Sequence, residues 1–164
     1  MIPNLLSAFR MIAFLPVIIL FSSEYYLSSF CLFTVAAWSD FLDGFLARKY
    51  KITSNLGSLL DLLADKVLVS SVLIFLVFYT GNIYLLILTI IIIVREISIS
   101  SLRLFLVSNG VEISNITPDK LGKLKTFLHM FSLSLLLIYP LFGNIFFTSV
   151  LILLLLSTLL SILS

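Results

Sequence analysis

Half of the eight acidic residues in this chain stand in two pairs, Asp40 with Asp43 and Asp61 with Asp65. On a helix the first pair is spaced i, i+3 and the second i, i+4, so each pair puts both carboxylates on one face. Four anions converging at one depth repel one another unless cations match them. Bound divalent metal is the simplest remedy, and an all-oxygen donor set favours hard ions such as magnesium, manganese or calcium. Gly57 lies four residues before Asp61 and shares its face, while Gly44 directly follows Asp43. A missing side chain at each place lets a ligand or a neighbouring backbone approach. The competing reading is a pair of small-residue helix contacts with the carboxylates salt-bridged to Arg48 and Lys66, which leaves most of the carboxylate charge uncompensated.

The elements that must hold these residues are set by composition. Of 164 residues, 61% are hydrophobic and only 11% charged, and the mean hydropathy is +1.24. There is too little polar surface to wrap so much apolar side chain, which excludes a water-soluble fold and places most of the exterior against lipid. At about 20 residues per span a chain of this length holds at most about six helices. Apolar runs mark them at about 12–20 extending toward 26, then 27–46, 56–79, 83–107, 121–139 and 144–163. The turn signals between them are Thr80-Gly81-Asn82 and the Pro140 to Gly143 stretch. The first run lacks a small-x-small cleavage site and is followed by Glu24 and Tyr25, so it reads as a retained helix rather than a signal peptide. The expectation is an all-α integral membrane protein: a six-helix transmembrane bundle forming one domain over residues 1–164, with a polar cavity open to the cytoplasm. Arg48, Lys49, Lys51, Lys120, Lys123 and Lys125 flank loops on one face, and the opposite loops around Glu24, Gly81 and Gly143 carry no lysine or arginine. The positive-inside rule then puts both ends in the cytoplasm.

A second set of charges bears on what the site accepts. Arg95 lies about 18 Å into the fourth span at 1.5 Å per residue, and Arg103 follows at i+8, roughly on the same face. Lys123 and Lys125 open the fifth helix at a similar level and Arg10 opens the first. Ionisable groups inside a membrane cost enough to demand a partner or a task. Cations gathered beside a metal site suggest a ligand that itself carries a phosphate. The plainer alternatives are snorkelling for Arg103, Lys123 and Lys125, and an ion pair with Glu96 or an aspartate for Arg95. His129, the single histidine, reads as a packed polar residue. Cys31, the single cysteine, reads as a small buried hydrophobe. The Leu-rich tail from Leu151 to Leu163 reads as lipid-facing, the aromatic residues with Trp38 as lipid-facing or interfacial, and Glu112 and Asp119 as a solvated loop. No soluble basic face suggests nucleic acid.

In order, the chain carries Asp40-x-x-Asp43-Gly44-x-x-Ala47-Arg48, eight intervening residues, then Gly57-x-x-x-Asp61-x-x-x-Asp65. In every fixed position and spacing this resembles the signature of the CDP-alcohol phosphatidyltransferase family. Eight fixed residues over 26 positions make the resemblance specific. Pro3-Asn4-Leu5-Leu6-Ser7-x-x-Arg10, Arg95-Glu96 through Ser101-x-Arg103, and Gly122-Lys123-x-Lys125-Thr126 resemble the phosphatidylglycerophosphate synthase branch. Ser7 stands where that branch has threonine and His129 where it has glutamine.

The resemblance implies a metal-assisted transfer in which an acceptor hydroxyl displaces CMP from CDP-diacylglycerol. With glycerol 3-phosphate as acceptor the product is phosphatidylglycerophosphate; phosphatidylglycerol, inositol phosphate or serine are the rival acceptors. It assigns Asp40, Asp43, Asp61 and Asp65 to magnesium or manganese, two ions in all, and makes Asp65 the general base. Gly44, Ala47, Arg48 and Gly57 become the cytidine and diphosphate pocket, and Arg10, Arg95, Arg103, Lys123 and Lys125 the acceptor-phosphate set. Membrane lipids are the surroundings, the bacterial cytoplasmic membrane the location, and a homodimer a familiar arrangement with no interface identified. The reading from another class is a small cation channel or transporter with aspartates lining its path. It gives no reason for the glycine and arginine positions.

Overall fold

The computed structural model describes residues 2–50, 55–109 and 120–163. Among the described residues there are six helices and no strand: α1 Ile2–Ser22, α2 Tyr26–Tyr50, α3 Asn55–Thr80, α4 Ile83–Ser108, α5 Lys120–Phe142 and α6 Asn144–Leu163. All six expected runs are helical, with two differences at their ends. The first helix begins near residue 2 rather than 12, because Pro3 sits in the first turn, where a missing N–H costs nothing. Pro140 does not end α5 but lies inside its last turn. Pro16 is likewise inside α1, where each proline removes one backbone hydrogen bond without stopping the helix.

The helices close into a ring. Each has two principal neighbours, in the order α1, α2, α5, α6, α4, α3 and back to α1. The short link between α2 and α3 suggests direct neighbours, yet these two touch each other only slightly, because α1 packs extensively against both. The buried stripe of α1 explains this position: Arg10, Ala13, Val17 and Phe21 recur at helical spacing and are all essentially inaccessible. Ala13, Ala36 and Ala64 keep the backbones close. The Ser29 hydroxyl of α2 donates to the Val17 carbonyl of α1 at 2.9 Å. Leu68, Val72 and Leu76 of α3, Leu133, Leu136 and Leu137 of α5, and Leu154 of α6 complete the core.

Three tight turns join helices at one end. Glu24 adopts φ 65°, its N–H bonding the Phe21 carbonyl and that of Tyr25 the Leu20 carbonyl. This is the Schellman arrangement, with glutamate in the left-handed position that glycine usually fills. Gly81 takes φ 60° after α3, and the Asn82 side chain then caps α4 by accepting from the N–H groups of Tyr84 at 2.9 Å and Leu85 at 3.1 Å. Gly143, at φ 82°, alone separates α5 from α6. Phe21 packs edge-on against Tyr26, Phe75 and Tyr79 beneath this end, with centroids 4.9 to 5.5 Å apart.

The outside is apolar. Ile83, Ile87, Ile90 and Val94 of α4 are exposed, as are Leu155, Leu156, Leu159 and Ile162 of α6. Ile83–Leu102 and Asn144–Ile162 are each long and apolar enough to cross a membrane. Two readings of individual faces change. Cys31 is exposed rather than buried, and the Leu151–Leu163 tail is not uniformly lipid-facing, since Leu154, Ser157, Thr158 and Ser161 are buried. In a lipid-embedded bundle both faces of a helix are apolar, so hydropathy alone does not say which faces in.

Candidate active site

The aspartates stand on the two helices that flank α1. Asp40 and Asp43 lie in the second half of α2, Asp61 and Asp65 in the first half of α3, at the end of the ring away from the tight turns. The helical register keeps each pair on a common face. The side-chain surroundings of Asp40, Asp43, Gly44, Ala47, Arg48, Gly57, Asp61, Asp65, Arg103, Lys123 and Lys125 lie outside the described residues, as do Glu112 and Asp119.

Arg10 stands on α1, the helix that packs against both. It is completely buried at the N-terminal end of the α1 stripe, on the helix that packs against α2 and α3. At 1.5 Å per residue it lies about 18 Å from the last residue of α1, and Asp65 about 22 Å from that of α3, so guanidinium and carboxylate helices meet at similar depth. A guanidinium removed from water costs several kcal/mol unless anions surround it, and Asp40, Asp43, Asp61 and Asp65 stand at about that level along α2 and α3. The four aspartates expected to bind metal offer only carboxylate oxygen, a donor chemistry that suits magnesium or manganese.

On the other side of α3 the polar groups form a second arrangement. Arg95 and Glu96 of α4 pair at 2.7 Å between Nη1 and Oε1. Arg95 Nε donates to the Ser161 carbonyl of α6 at 3.0 Å, and its buried Nη2 has no hydrogen-bond partner among the described residues. Lys66 Nζ donates to the Glu96 carbonyl at 3.0 Å, tying α3 to α4. His129 Nδ1 lies 3.0 Å from the Ser157 hydroxyl, tying α5 to α6. Between these four helices is a cavity of about 150 Å³. Its polar lining is Lys66, Ser70, Glu96, Thr126, His129 and Ser161, set among isoleucine, valine and methionine. A wider cleft of about 350 Å³ lies at the turn end, lined by Thr80, Asn82, Tyr139, Asn144, Phe147 and Thr148, with no charged side chain.

The serine pair on α6 escaped the sequence reading. Its signal is Ser157 and Ser161 at i, i+4 in an otherwise leucine-rich helix, which marks an inward polar stripe. Arg95 is tied to Glu96 and α6, so of the five cations expected around an acceptor phosphate it and Arg10 are the two whose surroundings are described.

Comparison with known proteins gives a consistent picture. The family model for CDP-alcohol phosphatidyltransferase matches residues 1–162. A Rickettsia bellii protein named CDP-diacylglycerol–glycerol-3-phosphate 3-phosphatidyltransferase is 38% identical over 153 residues, covering 89% of this chain and 80% of that one. A protein of the same name from Haemophilus influenzae is 40% identical over 139 residues, covering 83% of this chain and 75% of its own. One from Bacillus subtilis is 38% identical over 117 residues, with 71% of this chain and 58% of its own covered.

Proposed function

The chain belongs to the CDP-alcohol phosphatidyltransferase family, and from that premise we propose that it transfers the phosphatidyl group of CDP-diacylglycerol to glycerol 3-phosphate. The products are phosphatidylglycerophosphate and CMP. The observation that carries this reading is the aspartate signature, complete at every fixed position and borne on the two helices that α1 holds apart. The names of the relatives support the choice of acceptor.

In the reaction the acceptor hydroxyl oxygen forms a new bond to the phosphorus attached to the diacylglycerol. The bond from that phosphorus to the CMP oxygen breaks, and the hydroxyl proton goes to Asp65. Asp40, Asp43, Asp61 and Asp65 are the residues that would hold two magnesium or manganese ions, which supply charge neutralisation at the diphosphate and the leaving phosphate. Gly44 and Gly57 leave room for the cytidine beside Ala47, and Arg48 meets the diphosphate. Arg10, Arg95, Arg103, Lys123 and Lys125 form the cationic side on which the acceptor phosphate is drawn in. The residues 1–164 act as one domain, a six-span bundle of the bacterial cytoplasmic membrane with the polar cavity and both ends facing the cytoplasm. The lysines and arginines gathered at the aspartate end support that orientation.

The test is CMP release by the purified protein from CDP-diacylglycerol with magnesium, with and without glycerol 3-phosphate, and identification of the lipid product. Release that depends on glycerol 3-phosphate and yields phosphatidylglycerophosphate is the expected result. Release with phosphatidylglycerol, inositol phosphate or serine in its place overturns the acceptor and keeps the family chemistry.

A further inference from the structure

We propose that Lys66 is a positioning residue for the transfer: together with Arg95 it clasps the aspartate-side half of α4 to the bundle, and its tie to α4 fixes how α3 is turned about its own axis. The inference rests on the reading that Asp61 and Asp65 serve the transfer, and adds what holds their helix in place.

The packing of α4 calls for such a clasp. Its buried residues are Leu85, Leu88, Thr89 and Ile92, all in the half toward the tight turns. Past Ile92 no described side chain of α4 is buried, and Val94, Ile97, Leu102 and Phe105 are exposed. Among lipid tails, apolar surface gives no hydrophobic force that draws one helix to another, so close packing and interhelical hydrogen bonds do the holding. The apolar hold on α4 ends about one turn before Arg95 and Glu96, and polar ties take over there.

Those ties leave two consecutive residues in different directions. Lys66 Nζ of α3 donates to the Glu96 carbonyl at 3.0 Å. Arg95 Nε donates to the Ser161 carbonyl of α6 at 3.0 Å. The Arg95–Glu96 ion pair, at 2.7 Å, joins the two. Both donors are cations, which makes the bonds stronger than neutral ones. Both acceptors are main chain, so each tie grips a helix backbone rather than a second mobile side chain. The Glu96 carbonyl also takes the Ser100 hydroxyl at 2.8 Å.

Position connects the clasp to the chemistry. Lys66 directly follows Asp65, about 1.5 Å along the axis and about 100° around it. On its other flank α3 packs extensively on α1, with Ala64 and Leu68 fully buried within one turn of Lys66. Held on both flanks at one level, α3 cannot turn without breaking the bond to Glu96. At a side-chain radius of about 6 Å a turn of about 10° moves a carboxylate by about 1 Å, and a misplacement of that size costs up to about a hundredfold in rate.

The experiment uses the full chain with Lys66→Met, which keeps the apolar stem and removes the ammonium, and Lys66→Arg, which keeps a cationic donor. For Lys66→Met, kcat for CMP release falls about tenfold while KM for CDP-diacylglycerol and for glycerol 3-phosphate each stay within about twofold. The magnesium concentration giving half-maximal release rises about fivefold, and the rise in thermal midpoint on adding magnesium to the metal-free protein shrinks in step. Lys66→Arg recovers most of each. A folded Lys66→Met with unchanged kcat and unchanged magnesium response overturns the proposal. So does a KM for either substrate that rises as much as kcat falls, which would put Lys66 on that substrate, and so does Lys66→Arg with no recovery. Should Lys66→Met fail to fold, Lys66→Gln, which keeps a neutral donor, is judged by the same criteria. Wild-type protein that releases CMP only with another acceptor refutes the acceptor instead, and the clasp is then judged with that acceptor. Wild-type protein that releases none refutes the reading of function, and the magnesium-dependent midpoint alone then judges the clasp.

Discussion

The two ends of the helix ring solve different problems. At one end the chain reverses three times in no more than three residues, through Glu24, Gly81 with Asn82, and Gly143. Among the described residues, the four motif aspartates and nine lysines and arginines stand at the other end and at mid-helix. The turn end is a problem in local backbone geometry, and each turn meets it with a left-handed residue and a satisfied carbonyl or N–H. The aspartate end concentrates the ionisable residues of the chain, and the proposed function rests there. The contrast sets backbone geometry at one end against the proposed chemistry at the other. Substitutions at the two ends therefore fail in different currencies.

The largest effect belongs to the aspartate end. Asp65→Asn keeps the size of the side chain and lowers CMP release about a thousandfold, the scale expected of a lost general base, with the thermal midpoint near that of wild type. Full activity in this variant would remove Asp65 from the base role. Chelation with EDTA stops release in the intact protein, and added magnesium or manganese restores it; activity that persists through exhaustive chelation would refute the metal set. Arg10→Leu tests the border between the two regimes. It strips a buried guanidinium from the carboxylate layer and costs about 3 kcal/mol or more of stability, read as a lowered midpoint in detergent together with lost turnover. Were the midpoint unchanged, Arg10 would serve ligand alone.

The smallest effects belong to the turn end and leave chemistry intact. Gly81→Ala meets nothing within 4 Å of its new Cβ, so its cost is the left-handed backbone alone, about 1 kcal/mol. Glu24→Gly relieves the same strain and raises stability by about 0.5 kcal/mol. Both variants keep wild-type CMP release per folded molecule. A loss of turnover in either would break the segregation of the two ends.

How much of this was legible follows the same division. Long apolar runs and the turn residues revealed all six helices, because a run of about twenty apolar residues has few other uses. The aspartate signature was legible because its information lies in spacing. Packing was not legible. The short α2–α3 link pointed to direct neighbours, and only the buried stripe Arg10-Ala13-Val17-Phe21 explains why α1 stands between them. Cys31 and the α6 tail were misread because lipid and protein interior select the same residue types. The cavity beside α3 needed four helices to converge, and no single segment of sequence contains it.

The single-residue joint at Gly143 and the two-residue joint at Gly81 and Asn82 bear on how such a chain enters a membrane. In the orientation proposed, the turn end is the one carried across the lipid during synthesis. Its turns hold one charged side chain, Glu24, and almost no free loop. The translocation machinery therefore has next to nothing hydrophilic to move, and successive helices can partition sideways into the bilayer as closed hairpins, with the charged end never leaving the side on which it was made.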